Sequence, residues 1–433
     1  MAASDVQVHD APKQADLDRC VHCGLCLNNC PTYRELGVEM DSPRGRIYQM
    51  VQVATGEAKI NPSYIEHLDL CLACRGCETA CPSGVQYGRL IEAARAQIEE
   101  TIERPWHVRL LRNAVFNGLL PSRAALKIAG AGLYLYQASG LQKLARSSGL
   151  LKLMGGLGRA EQLSPDAEMP SFYRYYGKVL PPIGPKRYKV AVLGGCMANI
   201  FFARLNEATV RVLQKNGCEV HVPEDQTCCG ALHVHAGLKN PARALAKQNI
   251  DALLAGNYDA ILTNAAGCGS TLKEYDELLE NDPAYAGKAH EFVSKMKDVT
   301  EFLASIELNT DMKPVPYTVT YQDSCHLAHG QKIRTPPRVL LRSVPGLTLK
   351  EMPMSDLCCG SAGIYNVVEN EMSMAILDKK MRYVNMVNPD VIVTANPGCM
   401  LQLRAGAKLH GKGQPVKHVV EVLDEAYGGP QGS

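Results

Sequence analysis

Two short stretches concentrate the residues able to do chemistry. "CVHCGLCLNNCP" (residues 20–31) and "CLACRGCETACP" (71–82) share the spacing C-x2-C-x2-C-x3-C-P. The first row holds Cys20, Cys23, Cys26 and Cys30; the second holds Cys71, Cys74, Cys77 and Cys81. Three thiolates at two-residue intervals wrap a tight loop around one face of an iron–sulfur cube. The fourth lies past that loop and points to the other cube of a pair. The spacing therefore predicts two [4Fe–4S] clusters with crossed ligands: Cys20, Cys23, Cys26 and Cys81 for one, Cys71, Cys74, Cys77 and Cys30 for the other. Crossing forces the cubes to be near neighbours, which suits electron relay. Pro31 and Pro82 lack an N–H and fix φ, ending each loop after its last ligand. Zinc is the alternative occupant, but its tetrahedron is built from two separated C-x2-C pairs, and a third cysteine in the loop serves it poorly. His22, between two ligands, reads either as a hydrogen-bonding tuner of a cluster or as a solvent-facing loop residue.

A second set of thiols lies in the C-terminal half, which is internally duplicated. "YKVAVLGGC", "TCCGALHVHAG" and "YDAILTNAAGC" return as "YTVTYQDSC", "LCCGSAGIYN" and "PDVIVTANPGC". Cys196 corresponds to Cys325, Cys228 and Cys229 to Cys358 and Cys359, and Cys268 to Cys399, at offsets of 129, 130 and 131. Each copy offers four further candidate ligands, enough for one additional cluster. A redox-inactive metal site and cluster loss are the competing readings. Gly230 and Gly360, after the cysteine pairs, would let the backbone approach a bulky cofactor. His233, His235, His326 and His329 lie near these thiols in sequence and could relay protons, or serve as ordinary loop histidines. Cys218, with Thr348 near the matching place, reads as a small core residue.

The elements that must position these groups follow from periodicity. "SPRGRIYQMVQVATGE" starts a helix with Ser42 as cap and Pro43 in its first turn. "SGVQYGRLIEAARAQIEETIE" is helical, with Leu90, Ile91, Ala94 and Ile98 on one stripe. In the duplicated half, "KVAVL", "AILT", "TVTY" and "DVIVT" read as buried parallel strands, with helices such as "NEATVRVLQKNG" between them. The outer cysteines then sit where strands run out into loops, the usual ligand edge of such sheets. The expected fold is an α+β multidomain chain: a helical dicluster ferredoxin domain (12–100), a basic helical connector and Pro-rich linker (101–186), and two α/β cysteine-rich repeats (187–312 and 313–425).

The connector has no Asp or Glu from Arg104 to Ala160, yet carries Arg109, Lys127, Lys143, Lys152 and Arg159 among leucines. It reads as a surface for an anionic membrane or a partner subunit, or as an arm packed between domains. The whole chain of 433 residues has a net charge of +2, which implies no pull toward nucleic acid. Its N-terminus lacks the apolar region of a signal peptide, so 17 cysteines in a reducing, cytoplasmic compartment read as metal ligands rather than disulfides. The longest apolar run, "IAGAGLYLY", is too short to span a bilayer.

On "CVHCGLCLNNCPTYRELGVEMDSPRGRIYQM", "CLACRGCETACPSGVQYGRLIEAAR", "CCGALHVHAG" and "CCGSAGIYN", the chain resembles the iron–sulfur subunit of bacterial glycolate oxidase. The CCG repeats are also similar to those of heterodisulfide reductases, the anaerobic glycerol-3-phosphate dehydrogenase iron–sulfur subunit and lactate-utilisation proteins. The resemblance implies a non-flavin subunit of an oxidoreductase acting on CH–OH donors. A separate FAD-containing subunit would oxidise glycolate to glyoxylate, and this chain would pass the electrons toward a quinone or another carrier. It also implies a location in the cytoplasm or on the cytoplasmic face of the inner membrane. Related lactate or glycerol-3-phosphate dehydrogenases, and a CCG-type disulfide or quinone reductase, are the alternatives. Heterodisulfide reductase repeats end in C-x-x-C, whereas here Thr271 and Gln402 replace the fifth thiol. The residues agree by omission: there is no G-x-G-x-x-G fingerprint, no FAD site and no convergent set for a 2-hydroxy acid. The chain itself is expected to supply no catalytic residue and not to bind glycolate.

Overall fold

The computed structural model describes residues 10–149, 151, 158, 161 and 164–430. Its N-terminal part is helical. Ser42 accepts a hydrogen bond from the Gly45 N–H at 3.0 Å, and Pro43 opens the helix Pro43–Ala54. The helix Tyr87–Thr101 buries Leu90, Ile91, Ala94 and Ile98 against Ile47, Met50, Tyr64 and Leu68. Those apolar side chains form one small core that also receives Cys71 and Cys77. The sulfur loops are thus set on packed helices rather than on free chain.

The C-terminal half contains two sheets. The first orders β1 (Lys178–Leu180), β3 (Cys218–Val222), β2 (Tyr188–Val192), β4 (Ala260–Thr263) and β5 (Met296–Asp298) side by side. The second orders β7 (Thr348–Leu349), β6 (Thr318–Tyr321), β8 (Val391–Thr394) and β9 (Val416–His418). Without β1 the two orders are the same, and Val190 beside Ala260 repeats as Val319 beside Val391. The duplication read from the cysteines is therefore a duplication of the sheet. Cys218, buried, opens β3, and Thr348, exposed, opens β7.

β1 departs from expectation. The stretch rich in Pro and Tyr was expected to be linker as far as residue 186. Instead Lys178–Leu180 pairs antiparallel with β3, and Phe172 is fully buried. An unpaired edge of β3 would present open N–H and C=O groups, and β1 covers it.

The repeats exchange helices. β5 leads into Val299–Ala304, which packs on Thr335–Arg342 of the second repeat; β9 leads into Val419–Ala426, which packs on Ala203–Lys215 of the first. One apolar core consequently runs through both repeats, from Val190 and Leu262 to Val319 and Val393. Arg211 clamps Asp424 across this junction, with its closest N···O contact at 2.6 Å.

Between the two halves, helices Trp106–Asn113, Ala114–Leu119, Arg123–Ala138 and Leu141–Ser147 form the connector. Phe116, Leu120 and Leu126 are buried against Tyr173 and Ile200 of the first repeat. Trp106, Leu110, Leu111, Ile128, Leu135 and Leu144 face outward. Lys152 and Arg159 lie outside the described residues. No helix among the described residues is long and apolar enough to cross a membrane.

Candidate metal centres

The two cysteine rows adopt the same unusual backbone. On either side of the second cysteine, φ is positive in both: 52° at His22 and 83° at Gly24, then 50° at Ala73 and 62° at Arg75. Left-handed residues alternating with ordinary ones turn successive N–H groups to one side, the concave form that receives iron–sulfur groups and anions. Ala73 and Arg75 hold that form at a steric cost, as residues of functional loops do.

Cys30, Cys71, Cys74 and Cys77 line one small cavity. Asn29, the neighbour of Cys30, donates from Nδ2 to the Gly76 carbonyl at 3.4 Å and stitches the rows together there. Burial pushes the Cys77 thiol well up, and Cys74, Cys30 and Cys71 add to the rise. Cys20 is also pushed up by burial, against a His22 backbone hydrogen bond, and Cys81 is the charged neighbour that raises it most. Burial moves Cys26 to about 11, with Cys20 among its sulfur neighbours. Cys30 thus stands with the first three cysteines of the second row, and Cys81 beside Cys20 of the first. Thiols so disfavoured as thiolates lose their protons to a bound metal, which couples loading to folding.

The rows differ in exposure. Cys23 is exposed between Val21 and Leu25, which are 68% and 61% exposed, whereas Cys71 and Cys77 are buried. His22 is exposed as well and offers its carbonyl to Arg44 at 3.1 Å, as expected of a loop residue. Beside the second row lies Arg46, wholly buried. It donates to the His67 carbonyl at 2.6 Å and to Thr32 Oγ1 at 3.2 Å, and lies 3.5 Å from Asp41.

In the repeats, Cys228 and Cys196 sulfurs are 3.5 Å apart, and Cys229 has Cys268 as a sulfur neighbour. The second copy pairs Cys358 with Cys325 and Cys359 with Cys399. The structure therefore gathers each predicted foursome. Two expectations change. Cys268 and Cys399 sit in the first turns of helices Ala266–Leu272 and Pro397–His410 rather than in loops. The glycines after the pairs have φ of 82° and 90°, and Gly360 also answers to helix packing: a Cβ there would stand 2.5 Å from the Ser373 carbonyl oxygen.

The second row meets the second repeat. Leu72, Cys358, Tyr365 and Ile376 form one apolar cluster with Cys74 and Cys325 at its edge. His326 bonds the Ala73 carbonyl from Nε2 at 3.0 Å, and His329 Nδ1 meets Thr79 Oγ1 at 2.8 Å. Burial pushes His326 down to about 3 and lowers His329, so both are neutral near pH 7. They join domains instead of carrying charge. His233 likewise bonds the Phe116 carbonyl at 2.7 Å, and His235 stacks edge-on to His326.

The donors are soft sulfurs arranged in fours. Among the described residues no three His, Cys, Asp or Glu side chains converge on a point suited to one metal ion. Such a donor set fits iron–sulfur groups. Arg46 and Lys380 are the two site-adjacent residues that spacing of cysteines does not reveal. Lys380 was detectable as a charge on the apolar stripe Ile376, Leu377, Met381, Val384.

Residues 16–85 match the 4Fe-4S dicluster domain, 107–164 the linker region of the glycolate oxidase iron–sulfur subunit, and 190–273 and 319–404 the cysteine-rich domain. Over 421 residues the chain is 44% identical to the probable glycolate oxidase iron–sulfur subunit of Bacillus subtilis (strain 168), covering 96% of this chain and 95% of the relative. The chain belongs to the glycolate oxidase iron–sulfur subunit family. Another family member, from Escherichia coli (strain K12), is 35% identical over 95% of this chain and 94% of its own. Lactate utilization protein A of Halalkalibacterium halodurans is 31% identical, but over 54% of this chain and 96% of its own. The glycolate oxidase family accounts for the connector as well as the cysteines.

Proposed function

We propose that this chain is the electron-relay subunit of a glycolate-oxidising complex. An FAD-containing partner removes two electrons from glycolate to give glyoxylate, and this chain carries them singly toward a quinone or another acceptor. Two [4Fe–4S] clusters supply the redox capacity. Cys20, Cys23, Cys26 and Cys81 hold one, and Cys71, Cys74, Cys77 and Cys30 hold the other. The observation that carries this reading is the cavity shared by Cys30 with the three leading thiols of the other row. Cys196, Cys228, Cys229 and Cys268, and Cys325, Cys358, Cys359 and Cys399, are proposed to hold up to two further clusters.

The chain's own residues divide the work. The exposed rim of Val21, Cys23 and Leu25 gives a partner flavin close access, while the buried second row leads inward. Arg46 keeps a positive charge beside Cys71 and Cys30. The outward leucines and cations of the connector are proposed to rest on the anionic cytoplasmic face of a membrane. Glycolate is favoured over lactate because the connector, residues 107–164, matches the linker region of the glycolate oxidase subunit.

Isolation of the complex and anaerobic addition of glycolate tests the relay. The expected result is the appearance of EPR signals from reduced clusters together with bleaching of the flavin. Bleached flavin with silent clusters sinks it, and zinc in place of iron and sulfide removes its basis.

A further inference from the structure

The two cysteine-rich repeats have the same thiols but different buried charge. In each, the helix behind the CCG turn approaches the turn glycine. A Cβ on Gly230 would meet Ala242 at 3.5 Å, and one on Gly360 would meet Ser373. Ala242 and Ser373 are therefore equivalent positions. Seven residues on, two turns along the same face, stand Asn249 in the first repeat and Lys380 in the second.

Asn249 is neutral and completes a hydrogen-bond network. It accepts from the Thr227 N–H at 2.8 Å and donates to the Cys228 carbonyl at 2.9 Å. Lys380 is 2% exposed and donates to the carbonyls of Met354 at 2.8 Å and Ser355 at 3.1 Å. Among the described residues no carboxylate stands within ion-pair distance of it. Asp323 is held by Arg338 at 2.8 and 2.7 Å, and Asp356 by Arg334 at 3.0 Å. Burial lowers Lys380, and the Cys359 and Cys358 sulfurs are the neighbours that oppose that lowering most.

We propose that Lys380 is a positioning residue for redox charge, its buried ammonium making the second repeat the more easily reduced of the two cysteine-rich sites. This rests on the reading above in which the repeats hold iron–sulfur clusters. A cluster that gains one electron gains one negative charge, and a buried cation nearby stabilises that charge far more than one in water would. Charge of this kind sets cluster potentials. At the equivalent position the first repeat carries the neutral Asn249. The favoured site is also the one that touches Cys74 through the cluster of Leu72 and Cys358. One electron leaves the second-row centre and one arrives at the Cys325, Cys358, Cys359 and Cys399 site; reduced flavin on the partner is the source, and no proton moves.

The test is a redox titration of the full chain, loaded with counted iron and sulfide and followed by EPR. Wild type is compared with Lys380→Met, Lys380→Asn and Lys380→Arg. In the Met and Asn variants one centre beyond the paired rows should become harder to reduce. Its reduced fraction-to-oxidised ratio at a fixed potential should fall about tenfold, the scale of a lost buried charge contact. The Arg variant and the midpoints of the paired rows should stay at wild-type values. An unchanged midpoint in a fully loaded Met variant, or an equal shift in the Arg variant, overturns the proposal. So does loss of iron from both neutral variants, since Lys380 would then hold the cluster rather than tune it. A wild-type count of about eight irons, the two-cube total, removes it while leaving the relay through the paired rows intact.

Discussion

Arg46 lies at the join between packing and chemistry. Its guanidinium is wholly buried, with Thr32, the His67 carbonyl and Asp41 around it and Cys71 and Cys30 close by. Arg46→Leu leaves Asp41 buried with only His67, 2.8 Å away, as a polar partner. Removing one member of a buried pair costs about 3 kcal/mol or more. The visible absorbance of the clusters should therefore vanish at a lower urea concentration than in wild type. Cys81→Ser tests the crossing directly: the EPR signal of the centre containing Cys20 should be lost or altered, with the Cys71 centre kept. Damage confined to the Cys71 centre would refute the crossed scheme. The cysteines were legible because a cluster imposes spacing on neighbouring residues. Arg46 was not, because its closest acceptor, the His67 carbonyl, comes from 21 positions away and only folding reveals it.

Helices and strands repeat this contrast. The strands before Cys196, Cys268, Cys325 and Cys399 were readable as short β-branched runs buried on both faces. β1 was not, since its three residues, exposed at Lys178 and Val179 and half-buried at Leu180, are too few to show an alternation and owe their form to the edge of β3. The helices that close each repeat were also missed as caps, although D-x-x-E and H-x-x-E stand in the sequence. Asp298 with Glu301 and His418 with Glu421 form reciprocal capping boxes at equivalent places. Their titrations oppose one another. Burial pushes His418 down to about 4, so its contribution is complete above the unfolded value of 6.5 and is lost as pH falls toward 4. Burial pushes Asp298 up to about 6, so its contribution is present below 3.8 and is lost as pH rises through 6. The histidine shift is worth about 3 kcal/mol. His418→Asn keeps a capping side chain and removes that titration. The variant should lose less stability than wild type between pH 7.5 and pH 5 in urea melts; parallel losses would contradict the assignment.

For the whole molecule, the second cysteine row touches both repeats, Leu72 against Cys358 and Arg75 against Ser270, while the connector covers the first. The connector's exposed Leu110 and Leu111, 62% and 57% accessible, stand beside Arg109, while Arg112 is paired with Glu99 at 3.0 Å. Replacing both leucines by Glu should weaken cosedimentation with vesicles containing anionic lipid and leave cluster spectra unchanged. Wild-type protein that ignores such vesicles, or a double variant that binds as well, ends the membrane proposal. Domain order was legible from the motifs, but this division of contacts was not, because it depends on which loops meet after folding.

Each sheet lends its closing helix to the other, and that trade governs how the chain can be divided. Severed near residue 312, the two pieces would each keep a strand set yet expose the apolar wall meant for the loaned helix. Made separately they should clump; made together they should clasp and copurify. A cell could not discard one repeat and keep a working remnant of the other, so the twins are bound to a shared fate.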